Sequence, residues 1–304
     1  MKKEKLPSLS EITLNAITYF AKKKPFKLGQ KKFKFPLVVG SGNAYNAGQI
    51  IFSGQKAVFA NESNFREIAK NYRDLIAKKI ISDAVVISAS GEKDSVWELK
   101  LAKKLGLKTS LFTCSPESSA AKIADHVYEY HKLVEPYTYN TSTYLGMILS
   151  ATQEEPKQIL KYLKSIKLPK NFRKYNSYSF VLPDKFASLA PMLEIKGHEL
   201  FGSQLSLRAF SEGEARHAKF VIRNEKELVI SFADNLYFGQ PKHRWEIKLP
   251  KNNDYGLLMV ITYFLVGQIQ EAKTPWFEKN IYNFCDDYGW KPYGGKKPFE
   301  VIVK

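Results

Sequence analysis

Two short segments concentrate the residue types that hold an anion. They are Gly40-Ser41-Gly42-Asn43-Ala44-Tyr45-Asn46-Ala47-Gly48 and Ser88-Ala89-Ser90-Gly91-Glu92-Lys93. Each follows an apolar run and precedes a helical pattern, so each puts small hydroxyl side chains and free backbone N–H groups at a helix start. Such an end carries about half a positive charge and several unpaired donors, which suits a phosphate. Lys93 adds a full charge. The candidate ligands are Gly40, Ser41, Gly42, Asn43, Ser88, Ser90, Gly91 and Lys93. Neither segment ends in the Gly-Lys-Ser/Thr of a P-loop, and neither keeps the Gly-x-Gly-x-x-Gly spacing. Taken singly, each also reads as an ordinary strand-to-helix turn.

The elements around these turns alternate. Phe35–Val39, Lys56–Ala60, Asp83–Ser88, Thr109–Cys114 and Asp125–Tyr130 read as strands. Helices are expected from about Ala44, over 65–76, over 95–105, over Ser118–Ala124 and from Tyr144 to about Thr152. This βαβ order implies a mostly parallel sheet with helices on both faces, whose ligands bind at the carboxyl ends of the strands. After a polar connector at 168–174 a weaker version follows. Strands are expected at 177–182, 218–222, 228–232 and 245–249, and helices over 188–204 and 257–272. The fold class is therefore α/β, with two similar halves. The expected divisions are a basic helical segment 1–34, a first domain 35–167 and a second domain 168–304 with its tail.

Composition bounds the partners. The 304 residues include 47 Lys and Arg against 30 Asp and Glu, a net charge of +17. Residues 1–34 hold ten lysines (2, 3, 5, 22, 23, 24, 27, 31, 32 and 34) and only two acids. A solvated lysine face is the expectation there. Nucleic acid is not the expected partner, because few aromatic residues interleave and no nucleic-acid motif follows. The longest apolar stretch, Leu257 to Gly267, is well short of the ~20 residues of a membrane span, and no secretory leader pattern is present. Only Cys114 and Cys285 occur, which fits a reducing compartment, expected to be the cytoplasm. No cysteine–histidine cluster offers a metal site, and no cofactor is expected.

Together the two turns resemble the sugar isomerase (SIS) domain family. Gly-Ser-Gly-Asn-x-Tyr-x-Ala-Gly resembles its opening motif. Ser88-x-Ser90-Gly91-Glu92, with Ala102-Lys-Lys-Leu-Gly-Leu-Lys behind it, resembles its phosphate loop, although Lys93 stands where a Thr is usual. Thr113-Cys-Ser-Pro-Glu-Ser-Ser-Ala-Ala-Lys-Ile-Ala-Asp resembles the next element. The order and spacing match over roughly residues 36–152. In the second half, Gly213-Glu214-Ala-Arg216-His217 is similar to a segment in the isomerase part of glucosamine-6-phosphate synthase and in related isomerases, deaminases and deglycases. The resemblance implies two tandem three-layer α/β/α domains. It implies that His217 opens the sugar ring and that Glu199, in Glu194-Ile-Lys-Gly-His-Glu199, moves a proton between C1 and C2. Glu214 is the alternative base. Pro292-Tyr-Gly-Gly-Lys-Lys297 is similar to the synthase tail, which gives Lys297 the place of a lysine that reacts with the open-chain ketose. Asn140 and Ser142 lie where the family has further sugar contacts, and each also reads as a helix cap.

The chemistry suits these types. Isomerisation through an enediol needs a carboxylate near the carbon-bound proton and an acid/base of near-neutral pKa at the ring oxygen. No glutaminase part is expected. The resemblance also implies a homodimer in which the His-bearing loop reaches a neighbour's site. The expected activity is aldose–ketose isomerisation of a sugar phosphate, or the related deamination or deglycation. The rival from another class is a non-catalytic phosphosugar-binding regulator.

Overall fold

The structure, a computed structural model, describes residues 5–29 and 33–304. Lys2, Lys3, Lys31 and Lys32 of the basic segment lie outside the described residues. In chain order the elements are α1 (Leu9–Lys22), β1 (Leu37–Gly40), α2 (Asn43–Ile51), β2 (Val58–Ala60), α3 (Phe65–Asn71), α4 (Arg73–Ala77), β3 (Asp83–Ile87), α5 (Asp94–Lys104), β4 (Lys108–Thr113), β5 (His126–Glu129), β6 (Glu135–Pro136) and α6 (Thr141–Thr152). They continue with α7 (Pro156–Ser165), β7 (Ser177–Leu182), α8 (Ala190–Phe201), β8 (Ser206–Ser211), α9 (Glu212–Ala218), β9 (Glu227–Ser231), β10 (Arg244–Glu246), α10 (Tyr255–Ala272), α11 (Trp276–Asn283) and β11 (Ile302–Val303).

The chain forms two compact units. Among the described residues, the first-sheet unit comprises 23–29, 33–133 and 142–153, and the second-sheet unit comprises 5–22, 134–141 and 154–304. These bounds differ from the expected 1–34, 35–167 and 168–304, because the two short outlying pieces find their partners late in the chain.

The first-sheet unit holds five parallel strands in the order β2-β1-β3-β4-β5. β1 is buried throughout, and β3 and β4 nearly so, which explains their unbroken apolar runs. Leu37, Val39, Val86, Leu99 and Leu111 form the core on one face. On the other, Phe112 meets Tyr128 at 5.0 Å and Phe52 at 6.3 Å. The chain steps outward from β1 to β2, then returns past β1 to β3. The order therefore reverses between β1 and β3, and that crevice is where ligands of open α/β sheets bind. Two expectations fail in this unit. The helix over 65–76 is divided at Tyr72. Ser118–Ala124 is a run of turns, in which the Ala120 N–H donates outward to the Gly91 carbonyl at 3.0 Å.

The second-sheet unit holds four parallel strands in the order β10-β9-β7-β8. The long apolar stretch is the buried middle of α10, and no helix among the described residues is long and apolar enough to cross a membrane. α1 is not a solvated lysine face. Leu9, Ile12, Ala16, Ile17 and Phe20 are buried, and the helix packs on α7 and α10. Its lysines gather at and beyond its end. The Leu9 N–H donates to Gln270 Oε1 at 2.8 Å, and Ser8 Oγ donates to Glu271 at 2.7 Å. Residues 134–141 belong here because β6 pairs antiparallel with β11 and Tyr137 stacks on Phe299 at 4.8 Å. The expected strand at 218–222 is absent. Lys219 and Phe220 have positive φ of 65° and 46°, Val221 and Ile222 are each 84% exposed, and the strand is instead β8.

Candidate functional site

Gly40, at the end of β1, pairs in register with Ile87, at the end of β3. Both anion-type turns therefore leave neighbouring strands at the reversal point of the first sheet, and each leads straight into a helix. The Ser88 Oγ accepts from the Gly91 N–H at 3.1 Å, and the Ser90 Oγ from the Glu92 N–H at 3.4 Å. Gly91 has φ of +62°, and an added Cβ would fall 2.0 Å from Ser118 Oγ, so the turn closes only on glycine. The residues that cap the two helices share one backbone shape. Gly42 has φ 54° and ψ −124°, and Lys93 has φ 57° and ψ −123°. Glycine adopts that conformation freely, but a lysine is strained in it. Partial desolvation lowers the Lys93 pKa, with Asp94 opposing.

Glu199 lies in the last turn of α8. Lys196, one turn earlier, has no exposed side-chain surface, whereas Glu199 keeps 24%. The Lys196 ammonium donates to Glu199 Oε2 at 2.6 Å and to the Thr138 carbonyl at 2.5 Å. A buried lysine is tolerable only when paired in this way. Burial pushes the Glu199 carboxyl above the usual range, and Lys196 pulls it back. Glu199 lines a cavity of about 450 Å³ together with residues of α11. The sequence reading missed Lys196. Its spacing of three from Glu199 puts the two side chains on one face of α8, but nothing in the sequence marks the lysine as buried.

The other expected groups separate. His217 is exposed on α9. It lines a different cavity, of about 410 Å³, with Glu194 and Glu214, and that cavity shares no residue with the one Glu199 borders. Within one chain, His217 is not brought to Glu199. Glu214 is engaged as a cap: the Ser211 N–H donates to its carboxylate at 2.8 Å, and its own N–H donates to Ser211 Oγ at 3.2 Å. One oxygen of its carboxylate is held on the backbone, and the residue lines the same cavity as His217. Ser142 is fully buried within α6, and its Oγ accepts from the Leu133 N–H at 2.8 Å, so it offers no hydroxyl to a sugar. Asn140 takes positive φ of 46° just before α6. The cap there is the Glu135 carboxylate, which accepts from the Thr141 N–H at 2.7 Å. Lys297 is exposed in the tail before β11. Among the described residues no group of three or more His, Cys, Asp or Glu is arranged to hold a metal ion.

No family model matches the sequence, and no curated protein matches it. Solved structures do. The C-terminal domain of glucosamine-fructose-6-phosphate aminotransferase from Francisella tularensis matches with a TM-score of 0.60 at 15% identity, covering 89% of this chain and 94% of that one. Glucosamine-6-phosphate deaminase from Thermotoga maritima matches at 0.56 and 16% identity, covering 86% and 94%. Tagatose-6-phosphate ketose/aldose isomerase from Escherichia coli matches at 0.56 and 11% identity, covering 89% and 92%. The chain has the α/β fold of these structures over most of its length.

Proposed function

We propose that the protein moves a proton between C1 and C2 of a sugar 6-phosphate, as an aldose–ketose isomerase or as a related amino-sugar-phosphate deaminase or deglycase. The observation that carries this reading is Glu199: a carboxylate raised by burial, oriented by a fully buried lysine, at the edge of a cavity. A raised carboxylate is a stronger base near neutral pH. It takes the proton from the carbon beside the carbonyl and returns it to the neighbouring carbon, and Lys196 fixes which oxygen is free to do so. The first-sheet turns bind the phosphate through Ser41, Asn43, Ser88, Ser90 and Lys93 with the backbone N–H groups of Gly40, Gly42 and Gly91. C1 and C2 exchange oxidation level internally, so the reaction calls for no cofactor. His217 opens the ring, and Lys297 meets the open-chain sugar. Because His217 is exposed and apart from Glu199, it acts on a second copy of the chain in a homodimer. The exposed Val221 and Ile222 beside it support that contact. Sugar phosphates and free cysteines fit the cytoplasm. The names of the matched structures, an aminotransferase domain, a deaminase and an isomerase, support the same chemistry.

The second reading, a phosphosugar-binding regulator without turnover, draws support from the separation of His217 and Glu199 within one chain. The double variant Glu199→Gln, His217→Asn decides between them. The enzyme reading expects turnover of at least one of a hexose 6-phosphate, an amino-sugar phosphate and a fructosamine phosphate, read as ketose, ammonia or free amine, that the double variant abolishes. Turnover that survives the change sinks the assignment. No turnover of any of the three substrate classes by the parent protein, with a melting temperature raised by fructose 6-phosphate, establishes the regulator.

A further inference from the structure

Thr138, on the wall of the Glu199 cavity, holds a backbone conformation that its side chain disfavours. Its φ is +78°, and a β-branched residue rarely enters the left-handed region. Strain of this kind persists only where the surroundings over-determine it, and it concentrates at functional sites. Both neighbours are pinned. The Tyr137 N–H donates to the Val301 carbonyl at 2.8 Å, and the Tyr139 N–H donates to the Pro136 carbonyl at 3.2 Å. The Tyr137 ring stacks on Phe299, and the Tyr139 ring lies 5.2 Å from that of Phe277.

From this one position Thr138 reaches both members of the Lys196–Glu199 pair. Its carbonyl accepts from Lys196 Nζ at 2.5 Å. Its Oγ1 is buried and closes no hydrogen bond of ordinary geometry. The Glu199 carboxyl nonetheless feels it: burial pushes that group up, Lys196 draws it down, and the Thr138 hydroxyl draws it down further. A hydroxyl rotates to suit its acceptor, and hydrogen bonds to a reacting group often align only as the site closes on substrate. Tyr137 and Tyr139 also lie within electrostatic reach. Burial first, with the Glu199 charge among the lesser causes, holds both phenols above their usual range. Lys196 lies 6.0 Å from the Tyr263 ring on α10, and His198 and Tyr288 are the other titratable residues on the cavity wall.

We propose that Thr138 is a positioning residue for Glu199: its carbonyl fixes the lysine that holds one carboxylate oxygen, and its hydroxyl donates to the carboxylate as the site closes on substrate. The strained backbone is what aims both groups at the same ion pair. A buried carboxyl with too few donors takes up a proton and cannot start as a base. The second donor keeps Glu199 ionised at neutral pH and limits its rotation. This role rests on the reading of Glu199 as the proton-transfer group, and it adds a group that sets both the orientation and the basicity of that carboxylate.

The test follows the titration of Glu199 by NMR in the full-length protein, with the glutamate carboxyl carbons isotope-labelled and Glu199→Gln assigning the signal. Thr138→Val keeps the β-branched shape and the backbone strain but removes the hydroxyl. The Glu199 midpoint then rises by about one pH unit. Thr138→Ser, which restores the donor, returns it to the parent value. Thr138→Ala takes the place of the valine variant if the latter does not fold. The acid limb of kcat/KM moves by the same amount on whichever of a hexose 6-phosphate, an amino-sugar phosphate and a fructosamine phosphate is turned over. A midpoint unmoved by loss of the hydroxyl, or moved equally by Thr138→Ser, overturns the positioning role and leaves the proton-transfer reading intact. A midpoint that moves as expected in a protein that turns over none of the three classes removes that reading, and the positioning role with it.

Discussion

Lys93 sits where its twin position holds a glycine. The two helix-capping residues differ by only 3° in φ and 1° in ψ, yet one has a Cβ and the other has none. A non-glycine residue in such a region costs about 1–3 kcal/mol. Replacing it with glycine relieves that strain and adds back about 0.5–1 kcal/mol of unfolded-chain entropy. Lys93 is exposed, so little packing is lost. Lys93→Gly is therefore expected to stabilise the first-sheet unit by about 1 kcal/mol, which is roughly 2–4 °C in its melting transition. If Lys93 meets the phosphate as proposed, the same change removes a charge-assisted contact worth about 1.5–3 kcal/mol, and the Kd for fructose 6-phosphate rises by at least about tenfold. Lys93→Ala separates the two effects, because it loses the charge and keeps the strained backbone. Calorimetric titration and thermal melts of the three proteins give the answer. A Lys93→Gly protein that melts no higher than the parent and binds as tightly refutes the reasoning.

Three further outcomes follow from the same geometry. Removing the ammonium with Lys196→Met takes away the group that pulls the Glu199 carboxyl down, so the acid limb of the kcat/KM profile moves to higher pH; an unmoved limb shows that Glu199 is not the base. Glu98 is 1% exposed on α5 with its Oε1 unpartnered, and burial, then Asp94 and Glu62, push its carboxyl up to about 8. Its folded form holds the proton that the unfolded chain releases above about pH 4.5, so stability falls from there to about pH 8 and then levels. Glu98→Gln flattens that slope in denaturant midpoints measured across the window, and an unchanged slope counts against it. Ser142→Ala costs roughly 0.5–1.5 kcal/mol by removing the hydrogen bond from the Leu133 N–H and leaves the KM for sugar phosphate unchanged; a raised KM would restore Ser142 as a ligand.

The middle of the first sheet was legible because strands buried on both faces write themselves as apolar runs, and those of β1 and β3 are stopped by Gly40 and Ser88. The positions of Ser41, Ser88 and Lys93 followed directly. The second sheet was harder. Ser206–Ser211 carries Arg208 in its middle and reads as polar, whereas Phe220-Val221-Ile222 looks like a strand but follows a helix end in left-handed backbone. Ser142 looked like a ligand because its partner, the Leu133 N–H, is a loop group with no signature in the sequence. Lys196 was passed over because a lysine in so basic a chain reads as solvated. Its burial depends on the Thr138 carbonyl, 58 residues away, and no local pattern announces that.

The union of α1 with α10 has a consequence for how the protein is made. Leu9 and the Gln270 that caps it are 261 residues apart. At about 5–20 residues per second of synthesis, the helix that leaves the ribosome first waits on the order of 10–50 s for its partner. Through that interval its apolar stripe has no cover from the chain's own last third, while the first-sheet unit up to Gln153 is already complete. Assembly therefore runs from the middle outward. Removing the N-terminal segment as though it were a disposable lysine tag takes away a wall of the core and leaves the buried face of α10 exposed.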